Sequence, residues 1–281
     1  MSGRAIQVAA VLAVAVAGAL LWQRVAVDEE GIADSVSADL DSFAAQTTWG
    51  EPDLSGVWKS EALGARPGQD TFDLATLERL YTAEARARIQ ALSAGDDPTL
   101  RCAPPAFPRA VMLGRPIQIF QKPGFAFVLT EAYPSVRSIP TTARPHTDEQ
   151  YLYPTYMGDS TAHWNGDTLV VDAISFNGEA WLAGPADRPT TSSTGAWPTS
   201  QTMHVVERWR RVDADTLEYQ ATVEDPNMLT APWETPTVTF KRQSVDRIEE
   251  ALCRPEDGTE TYLERLGALL QHMNSELQSL V

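Results

Sequence analysis

The 281-residue chain reads as a mainly β protein. The expected form is an antiparallel meander closing into a lipocalin-like barrel, with one or two helices before it and one after. Three observations predict this. Apolar runs of strand length recur between residues 117 and 242. They are punctuated by Pro-Gly, Asn-Gly-Asp and Asp-Ala-Asp turns, connections too short for parallel crossovers. A hydrophobic content of 43% supports a buried core, and many short strands joined this way curl into a barrel.

Residues 1–27 form a hydrophobic leader. From Ala5 to Trp22, Gln7 alone is strongly polar, and such a run rises about 27 Å as a helix, close to the bilayer core. Arg4 precedes it, while Asp28, Glu29 and Glu30 follow, an asymmetry that exports the body. A signal peptide cleaved near Ala15-Val16-Ala17 competes with an uncleaved anchor. The apolar run continues through Leu20-Leu21-Trp22, which favours the anchor. The body is therefore expected outside the cytoplasm, periplasmic and either tethered to the inner membrane or secreted. Residues 28–50 are acidic and aperiodic, as in a tether.

The barrel domain is expected over 51–255. Leu54 to Trp58 opens it as a strand, and Leu74, Leu77, Leu80, Tyr81, Ile89 and Leu92 fall at near-helical spacing, predicting one or two helices. "CAPPAFPR" at 102–109 has three prolines and must extend or turn. Strands follow at 117–121, 125–131, 168–176, 203–212, 216–224 and 237–242. "WNGDTLVVD" and "RVDADTLEY" repeat one device, an aspartate-bearing turn that launches a strand. Cys102 and Cys253 form one disulfide in an oxidising compartment; two lone thiols are the alternative. No C-x-x-C is present, so neither a zinc site nor a redox motif is expected.

Residues 256–281 are expected as an amphipathic helix. Thr261 and Glu264 form a capping box, and Leu263, Leu266, Leu270, Met273, Leu277 and Leu280 recur at spacings of 3, 4, 3, 4 and 3, a short coiled-coil seam. Docking on the body competes with self-association or a partner subunit. The net charge of −16 disfavours nucleic acid and anionic lipid as partners.

The chain has no G-x-S-x-G, H-E-x-x-H, P-loop or G-x-G-x-x-G, so chemistry must be sought in isolated residues. Glu207 shares its strand face with Met203, Val205 and Trp209. Burial there raises a carboxylate toward acid–base use; the competing reading is an ion pair with Arg137 or Arg144 from a neighbouring strand. Asp172 sits on a strand face with Val170 and Ile174 and carries the same two readings. His146, with Asp148 and Glu149 nearby, offers hard ligands without fixed geometry, so no metal site is expected. His163 lies near Asp159 and Ser160, but spacing alone makes no nucleophile. Among eight tryptophans, several on strands or beside turns, including Trp181 and Trp209, suit core packing or an aromatic-lined pocket.

"PDLSGVW" (52–58), "MGDSTAHWNGDTLVVDAISFN" (157–177) and "HVVERWRRVDADTLEYQATVEDPNMLTAPW" (204–233) resemble a broad family of uncharacterised exported bacterial proteins. The resemblance spans roughly 51–255 and implies export and β architecture. It also implies that Arg144, His146, Asp159, Asp172, Asn177, Trp181 and Glu207 are the family's positions in this chain. This chain departs from the pattern at Thr142, at Ala183, and at Thr199 to Gln201, where the family carries Asp, Asp and a His-Ser-Glu run. Gly56-x-Trp58 is similar to the lipocalin signature. The leading expectation is a tethered barrel that binds a small apolar molecule, with Arg137, Arg144, Asp172, Asn177, Trp181 and Trp209 at the ligand. The alternatives are a cofactor-independent lyase, isomerase or hydrolase using Glu207, His146 or Asp159, and a non-catalytic accessory subunit of a membrane complex.

Overall fold

The computed structural model describes residues 46–60, 73–147, 153–184 and 196–249, together with 251 and 253. The N-terminal leader and the C-terminal leucine seam lie outside the described residues. Among the described residues no helix is long and apolar enough to cross a membrane. Residues up to Glu51 form a unit separate from the rest of the chain. Its described part is a turn in which Trp49 Nε1 donates to Glu51 Oε2 at 2.8 Å.

From Pro52 onward the chain builds β1 (Gly56–Ser60), β2 (Ile117–Lys122), β3 (Phe125–Thr130), β4 (Ser135–Pro140), β5 (Asp159–Asn165), β6 (Thr168–Ile174), β7 (His204–Arg211), β8 (Thr216–Glu224), β9 (Trp233–Glu234) and β10 (Val238–Arg242). All ladders are antiparallel and join one sheet in the order β4-β3-β2-β1-β10-β8-β7-β6-β5, with β9 beside β8. The two ends of that order, β4 and β5, are consecutive in the chain. The sheet thus curls into a nearly closed up-and-down barrel, and the seam between β4 and β5 is where the ladder is missing.

The turns behave as their chemistry demands. Pro123-Gly124 joins β2 to β3, with Gly124 at φ 79°, the left-handed position a proline-led turn hands to glycine. Gly166-Asp167 joins β5 to β6, with Gly166 at φ 62° as the first central residue, which suits a hairpin's twist. Between β7 and β8, the Asp213 carboxylate accepts from Asp215 N at 2.8 Å, an Asx turn. Two strands exceed the sequence expectation. β4, "SVRSIP", is short, with an arginine and a terminal proline, and β5, "DSTAHWN", looks polar. In β5, Ser160, Thr161 and Ala162 are buried in a row, while Asp159 is half-buried and His163 exposed.

Large side chains from many strands are buried between the sheet's inner faces. Trp58, Trp209, Tyr219, Phe240, Leu217, Val171 and Val205 are all buried. Outside the strands, α1 (Leu74–Leu80), α2 (Ala83–Gln90) and α3 (Arg109–Met112) fill the helical allotment. Thr82 caps α2 by accepting from Ala85 N at 3.1 Å, the usual way to satisfy a first-turn donor. All four residues of α3 are buried. Its Arg109 makes a buried fork to both oxygens of Asp97, at 3.0 and 2.7 Å. A Cβ on Gly184 would stand 1.9 Å from Asp97 Oδ2, so close an approach admits glycine alone. Cys102 and Cys253 are joined in a disulfide across 151 residues of sequence, which points to an oxidising, extracytoplasmic environment.

Gly158, at φ 66°, leads into β5, and a Cβ there would meet the Ile174 carbonyl at 2.5 Å. Gly158→Ala is expected to cost at least about 1–3 kcal/mol for the left-handed backbone, read as a lower urea midpoint. Replacing both cysteines by serine should cost about 2–5 kcal/mol in the same assay.

Candidate functional site

The barrel seam is bridged from inside by Arg137. Alternation on β4 turns this residue inward, where its Nη1 donates to Glu207 Oε1 on β7 at 2.6 Å and its Nε to Ser160 Oγ on β5 at 2.8 Å. Trp209 Nε1 donates to the other carboxylate oxygen at 3.2 Å. The Phe107 ring lies 4.3 Å from the guanidinium carbon, a cation–π contact. Tyr219 Oη faces the carboxylate without reaching hydrogen-bond geometry. Burial pushes the Glu207 carboxyl up from its ordinary value, while Arg137 pulls it down; the Tyr219 phenol is pushed well up by the same burial. Glu207 is 0% exposed and Arg137 3%. Both oxygens of this buried carboxylate are engaged, by Arg137 and by Trp209. Glu207, Arg137 and Trp209 thus form one buried, mutually bonded group.

The outer face of the same seam carries a second chain of contacts. Arg144 Nη2 donates to Asp159 Oδ1 at 3.1 Å, and His146 Nδ1 lies 2.7 Å from Asp159 Oδ2. His146 Nε2 lies 3.0 Å from Asp172 Oδ1, and His204 Nε2 lies 3.2 Å from Asp172 Oδ2. Thr161 Oγ1 donates to the Arg144 carbonyl at 2.7 Å, and Ala143 N to the Ala162 carbonyl at 2.9 Å. Together these clamp the segment after β4 onto β5 and β6. His146, Asp159, Arg144 and Asp172, drawn from sites up to 28 positions apart in sequence, do converge. Both ring nitrogens of His146 face carboxylates, however, so neither is aimed at a third group. His163 is exposed on the same outward row of β5 as Asp159. Among the described residues no group of acidic, histidine and cysteine side chains is arranged to hold a metal.

A concave site lies elsewhere. A cleft of about 410 Å³ is lined by Arg88 on α2, by Asp96, Pro98, Arg101 and Ala103 in the 3₁₀ turns that follow, and by Tyr156, Gly178, Glu179 and Trp181. The last four come from the loops entering β5 and leaving β6. Asn177 shapes this wall, since its Oδ1 accepts from Glu179 N at 3.0 Å. Tyr156 Oη donates to Glu179 Oε2, and burial followed by that carboxylate pushes the phenol up. Gly178, at φ 73°, would drive a Cβ to 2.7 Å from Gln201 N. Arg101 and Ala103 flank the disulfide-bonded Cys102, which fixes that wall to the C-terminal side of the domain. Trp181 is buried to 4% exposure and forms an apolar floor. Of the residues the sequence suggested for a ligand site, Trp181 lines this cleft, and Asn177 lies next to its Gly178. Arg88, Arg101, Tyr156 and Glu179 were not anticipated; the one signal was the cysteine next to Arg101, because a disulfide holds its neighbours in place.

No family model matches this chain, and no curated protein is similar to it at a significant level.

Removing one partner of the interior pair should be far worse than removing both. Arg137→Met alone is expected to cost about 3–5 kcal/mol, and Arg137→Met with Glu207→Leu much less, by urea unfolding. Because burial raises Glu207 in the folded chain, its contribution to stability is greatest below the ordinary carboxylate value of 4.5. That contribution falls as pH rises through the folded value. The stability of wild type relative to the double variant should therefore decline with pH across that window.

Proposed function

We propose that the protein is an exported, membrane-tethered barrel that binds a small molecule in the cleft outside the barrel, between α2 and the loops flanking β5 and β6. The carrying observation is that one cleft of about 410 Å³ brings an indole and a phenol against two guanidinium groups. That size suits a metabolite-sized ligand. Trp181 and Tyr156 favour a ligand with an apolar or aromatic body. Arg88 and Arg101 favour a carboxylate or phosphate on it. The barrel interior, where the sequence places an apolar ligand, is occupied by Trp58, Trp209, Tyr219, Phe240 and the Arg137–Glu207 pair, so the site moves to the outside. The kinship with exported bacterial β proteins, which rests on the motifs at 52–58, 157–177 and 204–233, is part of the same proposal.

The enzyme reading is less well supported. Glu207 is buried against Arg137, and each nitrogen of His146 lies against a carboxylate on the outer face of the seam, away from the cleft residues.

Native mass spectrometry of full-length protein purified from its host tests the binding reading. A small acidic molecule should be retained by wild type and lost from Arg88→Ala/Arg101→Ala with the fold intact by circular dichroism. Retention in that variant, or no acidic adduct in wild type, would contradict it.

A further inference from the structure

The outward rows of β2, β3 and β4 carry an aromatic patch. Register places Gln118, Leu129 and Val136 in one row, Phe120, Phe127 and Ser138 in the next, and Lys122, Phe125 and Pro140 in the third. Six of these nine side chains are apolar. Phe120 is 47% and Val136 63% exposed, and Phe125 and Phe127 stack with centroids 6.1 Å apart. Lys122 Nζ sits over both rings, at 4.7 and 5.6 Å. Contiguous apolar surface of this kind on an outer face is ordinarily covered.

The chain itself brings a cover to the edge of this patch. After β10 it crosses the outer side of β2, where Gln118 clamps it: Gln118 Nε2 donates to the Asp246 carbonyl at 2.8 Å, and Ile248 N donates to Gln118 Oε1 at 3.2 Å. Gln118 is the first member of the patch's own first row. From Ile248 to Leu263 is 15 residues, about 50 Å when extended, and from Cys253 it is 10, about 33 Å. Three strands are about 10 Å across, so the seam reaches the patch with chain to spare. Leu263, Leu266, Leu270, Met273, Leu277 and Leu280 offer an apolar stripe about 26 Å long as a helix. Charge matches as well. Residues 254–281 carry Arg254 and Arg265 against Glu256, Asp257, Glu260, Glu264 and Glu276, a formal 2 − 5 = −3, opposite in sign to Lys122 in the patch.

We propose that the leucine seam of residues 263–280 docks on the outer face of β2, β3 and β4 of its own chain, with Phe120, Phe127, Leu129 and Val136 as its seat. The patch is thereby closed to lipid and to a second copy, and the C-terminal segment acts as an outer layer of the barrel.

Photo-crosslinking in the full chain tests this. p-Benzoylphenylalanine replaces Phe120, ¹⁴N- and ¹⁵N-labelled chains are mixed in equal amounts, and crosslinked peptides are identified by mass. The expected product joins position 120 to a peptide within 263–280 carrying the same label. Mixed-label products would assign the patch to a second copy, lipid adducts would assign it to the membrane, and absence of any 263–280 product would leave the seam elsewhere; each overturns the proposal. Leu266→Asp/Leu270→Asp should reduce the same-label product at least tenfold while far-UV circular dichroism from the strands is kept. Undiminished crosslinking in that variant would equally overturn it.

Discussion

A sheet whose first and last strands meet without a ladder must hold its edges by other means, and here a single inward guanidinium does much of it. Arg137 leaves β4, takes a hydrogen bond acceptor from β5 and an ion-pair partner from β7, and rests on Phe107. Four separate parts of the chain are thereby fixed around one planar, permanently charged group. Outside the seam, Arg144 and His146 repeat the device against Asp159 and Asp172. The missing backbone ladder is replaced by side chains on both faces.

This closure explains both where the interior is full and where the open site lies. A buried ion pair is costly to desolvate and need not stabilise more than apolar residues of equal volume. Its geometry does fix register, which slips easily where strand edges are not paired. The pair, with Trp209, Tyr219 and Ser160 around it, occupies the space a lipocalin-like barrel would give a ligand. Concavity appears instead where the loops of β5 and β6 meet the disulfide-anchored turns after α2, with Arg88, Asp96, Arg101 and Glu179 exposed around the buried Trp181.

Much of the barrel was legible in the sequence because hairpin turns are local. Pro123-Gly124, Gly166-Asp167 and Asp213-Ala214-Asp215 announce themselves by composition, and the alternation around Glu207 identified both its inward face and Arg137 as a candidate partner. β4 and β5 were not legible. Their buried residues mix Arg137 and Ile139 on β4 with Ser160, Thr161 and Ala162 on β5, charged, polar and apolar together, so no clean hydrophobic alternation marks either strand. The cleft was harder still. Arg88 and Arg101 are separated from Tyr156 and Glu179 by more than fifty residues, and only the curl of the sheet and the Cys102–Cys253 bond bring them together.

Amide hydrogen exchange on Arg137→Met tests this account of closure most directly. If the guanidinium holds the seam, the amides of β4 (Ser135–Pro140) and β5 (Asp159–Asn165) lose protection together. Those in the paired centre of β7 and β8 would stay protected, since local opening is confined to the weakened unit. Uniform loss over all strands, or unchanged protection at β4 and β5, would contradict it.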